Sequence, residues 1–188
     1  MPKTTPKASA RPKRGETETL PNHHAVSENE LSLNPDDIES ASDPIVAEAG
    51  LYRLEISRAR PGYPKEEAKF PDAKRFALTW KITGGEKFDP DVSYRRITSY
   101  LTLPIRGSIP DVEAFKAISN ASRHFLEAIS MSPAEFAHHT NALHFPTDRT
   151  VEATAAFLIG KTATAYLKVK DSGEYGMQNE ISKFASPE

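Results

Sequence analysis

The stretch Arg75-Phe-Ala-Leu-Thr-Trp-Lys-Ile-Thr83 decides the fold class, because apolar and polar residues alternate along it. Alternation with a period of two predicts a β-strand whose faces meet different environments. One face carries four large apolar side chains, Phe76, Leu78, Trp80 and Ile82, and Trp80 is therefore expected in the core. Gly84-Gly85 follows directly and supplies the backbone freedom that a turn requires.

The same alternation predicts four further strands along the chain. They run from Gly50 to Arg58, from Tyr94 to Leu103, from Thr162 to Val169 and from about Gly176 to Phe184. Pro104 ends the third of the five, since proline has no N–H to donate to a neighbouring strand.

Between the third and fourth strands the pattern becomes helical. Apolar residues from Asp111 to Ser130 recur at spacings of three, four and seven, which predicts an amphipathic helix. Ser132-Pro-Ala-Glu135 has the residue types of a helix start, and a third helical piece is predicted over Val151 to Leu158. This helical insertion at about 111–159 gives the order β-β-β-α-β-β. That order is typical of the five-stranded OB-fold barrel, a mainly β fold of the α+β kind, although other folds share it.

Residues 1–44 differ in composition from the rest of the chain. They hold six prolines, few large apolar residues and a net charge of −3. Such a segment buries too little apolar surface to offset its ordering entropy, so we expect a disordered leader. Its basic start and acidic remainder would allow contact with a partner or with the domain, but a solvated leader is the simpler reading. The OB-fold domain is expected to span residues 45–188.

The net charge of −2 conceals an uneven distribution. Residues 45–110 carry 12 basic and 8 acidic side chains, whereas residues 111–188 carry 7 basic and 10 acidic ones. The total excludes a uniformly basic DNA-binding protein, but it does not exclude a protein that binds nucleic acid along one face.

The chain contains no cysteine, which excludes disulfide scaffolds, thiolate metal sites and cysteine nucleophiles. No apolar run approaches the roughly 20 residues of a transmembrane helix, and the N-terminus lacks the apolar region of a secretory signal. We therefore expect a cytoplasmic protein that does not bind membranes.

Basic and aromatic residues are interleaved where an OB-fold usually binds its ligand. That surface consists of the outward face of strands 2 and 3 and of the loops between strands 1–2 and 4–5. Cations that follow the phosphates and rings that stack on bases are what sequence-tolerant binding of single strands requires. The candidate phosphate contacts are Arg60, Lys65, Lys69, Lys74, Lys81, Arg95, Arg96 and Lys170, and the candidate stacking rings are Tyr63, Phe70, Tyr94, Tyr100 and Tyr175. The same residue types also serve solubility and cross-strand pairing on ordinary strands.

Patterns for catalysis or metal binding are weak. His138-His139 and His144 do not show the i, i+4 spacing that places two imidazoles on one helix face. Gly84-Gly85 is not followed by the Lys-Ser/Thr of a phosphate loop, and no Gly-x-Ser-x-Gly motif occurs. We expect no enzyme activity, no metal and no cofactor.

Several short motifs resemble a largely phage-encoded family known as domain of unknown function 669. They are Gly50-Leu-Tyr52, Leu78-Thr-Trp80 before Gly84-Gly85, Phe125-Leu-Glu-Ala128, Leu158-Ile-Gly-Lys161 and Asn179-Glu-Ile181 with Phe184. The likeness covers about residues 48–187. It implies an OB-fold protein that coats single-stranded DNA during phage replication and recombination, in the host cytoplasm, with a recombinase or polymerase as a possible partner.

Two functional hypotheses follow. The first is a single-stranded DNA-binding protein, which could act as an oligomer. The second is a phage-encoded protein-interaction module, an inhibitor or adaptor, that presents the same surface to a protein. A hydrolase is a distant third.

Overall fold

The computed structural model describes residues 43–148 and 151–185, so the predicted leader lies almost wholly outside the described residues. Five strands and two helices make up the described part. The strands are β1 (Gly50–Gly62), β2 (Arg75–Gly85), β3 (Ile97–Thr102), β4 (Thr162–Asp171) and β5 (Met177–Phe184), and the helices between β3 and β4 are α1 (Val112–Ala128) and α2 (Pro133–Asn141). The fold is therefore mostly β, with a helical insertion where the sequence predicts one. None of the helices in the described ranges is long and apolar enough to cross a membrane.

The five strands form one antiparallel sheet in the order β3-β2-β1-β4-β5. The edge strands β3 and β5 approach each other, so the sheet curls into a nearly closed barrel. Register shifts after Arg53, after Ile56 and after Tyr166 help this curvature, because a bulge bends its strand and increases the local twist.

The inward faces of the strands are those that the alternation predicts. Tyr52, Leu54 and Ile56 of β1 are buried, as are all four apolar residues of β2, and Trp80 is fully buried. Val169 is an exception, since it is 36% exposed although it shares its phase with buried Leu167. The pairing explains this difference: β1 begins at Gly50, opposite Leu167, so Val169 lies beyond the end of β1.

Both helices begin as their capping residues predict. The Asp111 carboxylate accepts a hydrogen bond from the backbone N–H of Ala114, and the Ser132 hydroxyl accepts one from Glu135, at 3.0 and 3.1 Å.

The predicted third helix is wrong: residues 151–158 contain only a single 3-10 turn at Ala156–Leu158. Ala155 donates its N–H to the carbonyl of Ala59 at 2.9 Å, which commits this segment to pairing with β1.

The third strand is shorter than predicted, because Tyr94 lies outside β3 in an isolated parallel bridge with Ile45. Ile45 donates its N–H to the Ser93 carbonyl at 2.9 Å and accepts from Arg95 at 2.8 Å. Two residues further on, Ala47 is bound by the side chain of Asn179 on β5. Residues 43–49, here called the strap, thus span from the chain entering β3 to β5, where the barrel is open.

The side-chain amide of Asn179 holds the strap, because it makes the two hydrogen bonds to Ala47 that a neighbouring strand backbone would otherwise make. Its Oδ1 accepts from the Ala47 N–H at 2.9 Å, and its Nδ2 donates to the Ala47 carbonyl at 2.8 Å. Asn179 is only 9% exposed and Ala47 only 1% exposed, so both backbone groups would be poorly hydrated without this side chain.

Replacing Asn179 by alanine is therefore expected to lower the free energy of unfolding by about 1–3 kcal/mol, the usual cost of leaving buried polar groups unpaired. Urea denaturation of the whole chain measures it. Gln178→Ala, an exposed neighbour on the same strand, is the matched control and should change stability by less than about 0.5 kcal/mol. Equal stability of the two variants would show that the strap is not held by Asn179.

Candidate functional site

An open groove of about 1310 Å³ lies on the outward side of β2 and β3. Arg75 and Ala77 of β2 and Tyr100 of β3 line it between the strands. The segment 60–67 with Pro71 and Asp72 borders it from the β1–β2 side, and Pro146, Thr147, Asp148, Val151 and Ala153 border it from the insertion. We call this the β2–β3 groove.

Tyr100 is the most exposed ring in the groove, with 60% of its surface accessible. It lies opposite Ala77 in the β2–β3 pairing, and this short neighbour leaves the ring uncovered. The guanidinium carbon of Arg75 is 4.2 Å from the ring centroid, which is a cation–π contact. The ring is thus held at one position while part of its surface remains open to a ligand.

Four of the predicted binding residues meet in this groove: Arg60, Tyr63, Lys65 and Tyr100. Tyr63 is half-buried and packs partly against the core, whereas Lys65 is exposed. Arg75 was missed by sequence reasoning although the signal was present. It shares the outward phase of Lys81 on the most regular strand of the chain.

Three residues of the β1–β2 loop are engaged within the protein. Lys69 makes an ion pair with Asp111 at 3.0 Å, and its ammonium lies 5.1 Å from the ring centroid of half-buried Phe70. The ammonium of Lys74 lies 4.9 Å from the centroid of Phe145. These contacts tie the loop to α1 and to the insertion.

The helix-capping carboxylate of Asp111, which pairs with Lys69, also has a shifted pKa. The pKa of Asp111 lies below its ordinary value, chiefly because the Ala114 N–H donates to the ionised form, and secondly because Lys69 does. Asp111 therefore keeps its charge, and Lys69 remains paired, at mildly acid pH.

Two further predicted cations also have carboxylate partners. Lys81 pairs with Glu55 across β1 and β2 at 2.8 Å, and Lys170 pairs with Glu180 across β4 and β5 at 3.5 Å. Both ion pairs are exposed or partly exposed and are weak by nature, but each compensates the positive charge of its lysine.

Tyr94 has a packing role. Its ring stacks on Phe88 with centroids 5.8 Å apart, and its hydroxyl accepts from the Asp89 N–H at 3.0 Å and donates to the Lys87 carbonyl at 3.4 Å. It therefore supports the loop between β2 and β3 rather than presenting a free ring.

Arg95 and Arg96 line a second, smaller cavity of about 180 Å³ together with Thr98, Gln178 and Asn179. Arg95 donates to the carbonyls of Pro44 and Met177, at 3.0 and 3.2 Å. Arg96 makes no ion pair with any other residue in the ranges 43–148 and 151–185. It shares the outward phase of Thr98 and Tyr100, and the strand rise puts Arg96 roughly 13 Å from Tyr100.

Tyr175 lies in a single 3-10 turn, Gly173–Tyr175, between β4 and β5, and it is 72% exposed. It is available for contact but it is not among the residues that line the groove.

Within the described ranges no group of histidine, aspartate and glutamate side chains is arranged to hold a metal ion. His139 instead stacks on Phe157, with centroids 5.0 Å apart. His23 and His24 lie outside the described residues.

No protein-family model matches this chain, and a search of curated proteins finds no significant relative. A functional proposal therefore depends on the chemistry of the groove and on the short motifs quoted from the sequence.

Proposed function

We propose that residues 43–185 form an OB-fold domain that binds single-stranded DNA in the β2–β3 groove, without enzymatic activity. The observation that carries the proposal is Tyr100, an exposed ring that contacts Arg75 in an open groove. Every base has a π-face, so such a ring can stack on any base, and cations beside it can contact the adjoining phosphates.

The sheet order supports the OB-fold assignment. An antiparallel sheet β3-β2-β1-β4-β5 whose edges approach each other, with a helix between β3 and β4, suits a small, partly open five-stranded barrel. In that fold ligands bind on the face of strands 2 and 3, and the groove lies on this face.

Three cations that have no ion-pair partner among the described residues support the choice of ligand. Lys65 and Arg75 line the groove, and Arg96 extends the outward face of β3 toward the second cavity. Together with Tyr100, these residues place one aromatic ring and three positive charges along the outward face of β2 and β3 and the adjoining loop. The resemblance to the phage-encoded family suggests a role in phage DNA replication and recombination, in the host cytoplasm and beside a recombinase or polymerase.

One observation favours a protein partner as the second candidate. The walls of the groove also carry four carboxylates, from Glu66, Glu67, Asp72 and Asp148. Mixed charge of this kind suits the polar rim of a protein interface. An inhibitor or adaptor that offers this groove to a protein is therefore the alternative function.

Titration with labelled oligo-dT at several salt concentrations tests the proposal. About two or three neutralised phosphates would give a slope of log K against log [salt] of roughly −1.4 to −2.1. Duplex DNA of the same length is the control and should bind more weakly, because its bases are not free to stack on Tyr100. Absence of oligo-dT binding at low salt would exclude the DNA-binding function and leave the protein-interaction module as the candidate.

A further inference from the structure

Arg58 and Arg60 converge on one carboxylate. The Nη2 atom of Arg58 donates to Oε1 of Glu152 at 2.9 Å, and Nη2 of Arg60 donates to the same oxygen. Guanidinium groups bind carboxylate and phosphate oxygens through the same charge-assisted N–H···O bonds, so two of them directed at one carboxylate oxygen can also bind a phosphate oxygen.

The strand fixes the two arginines, and the insertion supplies the carboxylate. Arg58 and Arg60 are two residues apart on β1, opposite Thr79 and Ala77, so both project from the outward face of the barrel. Three residues after Glu152, the backbone N–H of Ala155 donates a hydrogen bond to the Ala59 carbonyl on β1. The carboxylate is thus brought to the arginines by a connection that the fold already requires.

This ion-paired group remains open to solvent. The side chains of Arg58, Arg60 and Glu152 are 52%, 41% and 74% exposed. Exposed ion pairs contribute little to stability, so a competing anion can displace the carboxylate at small cost.

The position relative to Tyr100 suggests what that anion is. Arg60 lies opposite Ala77 on β2, and Ala77 lies opposite Tyr100 on β3. Two strand spacings, roughly 10 Å, therefore separate Arg60 from the stacking ring on the same outward face.

We infer that Arg58 and Arg60 form a binding site for a backbone phosphate of the single strand, and that Glu152 occupies this site in the free protein. The inference rests on the proposed function and extends it, because it adds Arg58 to the interface and makes Glu152 a competitor of the ligand.

The exchange of the Glu152 carboxylate for a phosphate can be detected in the salt dependence of binding. Binding releases cations from the single strand in proportion to the positive charge that neutralises its phosphates. In the wild-type protein the Glu152 carboxylate cancels part of the charge of the two arginines, so without it they neutralise the phosphate more completely.

Glu152→Gln is therefore expected to bind oligo-dT about 1.5- to 5-fold more tightly at low salt, the equivalent of one weak exposed ion pair. Its slope of log K against log [salt] should be steeper by roughly 0.7, the change for one more neutralised phosphate of a single strand. The doubly substituted protein Arg58→Gln/Arg60→Gln should bind more weakly, and adding Glu152→Gln to it should have no further effect. Glu113→Gln, an exposed glutamate paired with Lys116 on α1, has the same charge change and should leave the slope unaltered.

An affinity and slope for Glu152→Gln equal to those of the wild type would overturn the inference while the DNA-binding function stands. If no variant binds oligo-dT, the proposed function fails, and calorimetry with inorganic pyrophosphate decides on the site. Tighter binding of pyrophosphate by Glu152→Gln than by the wild type, lost on replacing both arginines, would uphold the anion site. Equal binding would reject it.

Discussion

Replacing Tyr100 by alanine is expected to weaken the binding of oligo-dT by about 5- to 150-fold. A stacked base contributes roughly 1–3 kcal/mol, and each 1.4 kcal/mol corresponds to a factor of ten in affinity. Tyr100 is 60% exposed on the surface of β3, so its removal should leave the barrel folded. Fluorescence anisotropy with labelled oligo-dT measures the loss, and circular dichroism checks the fold.

Two control variants make this result specific. Tyr100→Phe keeps the ring and should retain most of the affinity, since stacking does not need the hydroxyl. Tyr166→Ala removes a comparable ring: Tyr166 is 40% exposed on β4, with the Lys183 ammonium 4.6 Å from its centroid. It is not among the groove residues and should have no effect. Equal losses for Tyr100→Ala and Tyr166→Ala would place the binding face elsewhere.

The second large effect concerns Trp80, whose replacement by alanine is expected to lower the free energy of unfolding by about 3–5 kcal/mol. The side chain is fully buried, and its ring lies 6.3 Å from Phe125 and 5.8 Å from Phe184. Trp80 therefore joins β2 to α1 and to β5, and alanine would leave a cavity between three elements. Since domains are typically stable by 5–15 kcal/mol, the loss would be a large part of the total.

Equilibrium unfolding in urea measures this loss, and two milder variants divide it into packing and hydrogen bonding. Trp80→Phe keeps an aromatic ring but loses the hydrogen bond from Nε1 to the Ser99 hydroxyl, which is 2.8 Å long. Ser99→Ala removes the acceptor alone, leaves the buried Nε1–H of Trp80 unpaired and should cost about 1–3 kcal/mol. If Trp80→Ala costs no more than Ser99→Ala, Trp80 does not serve as the packing centre described above.

The strands could be predicted because alternation is a local signal. The phase of Phe76, Leu78 and Trp80 follows from which residue types are neighbours, and the structure buries all three. The two capped helix starts are local as well, since Asp111 and Ser132 bind N–H groups three residues away. The helix predicted over residues 151–158 does not form, because a long-range hydrogen bond to Ala59 overrides local helical preference there.

The site was harder to predict, since its charges depend on partners distant in sequence. The sequence predicts Lys69 and Lys81 as phosphate contacts, yet Asp111 and Glu55 lie beside them once the sheet and α1 are assembled. Alternation along a strand predicts which face of the sheet a side chain lies on, but it does not predict which charged residue of another element lies beside it. The pairing of Arg58 and Arg60 with Glu152, more than 90 residues away, could not be inferred from spacing.

The strap affects the association of separate copies of this domain through the edges of their sheets. Residues 43–49 satisfy backbone groups beside β3 and contact β5, which are the only two edges of the described sheet. Unpaired strand edges are where separate chains add to one another and begin to aggregate. The short segment through Ile45 and Ala47 lies beside both edges, so it is expected to hinder the approach of a second chain there.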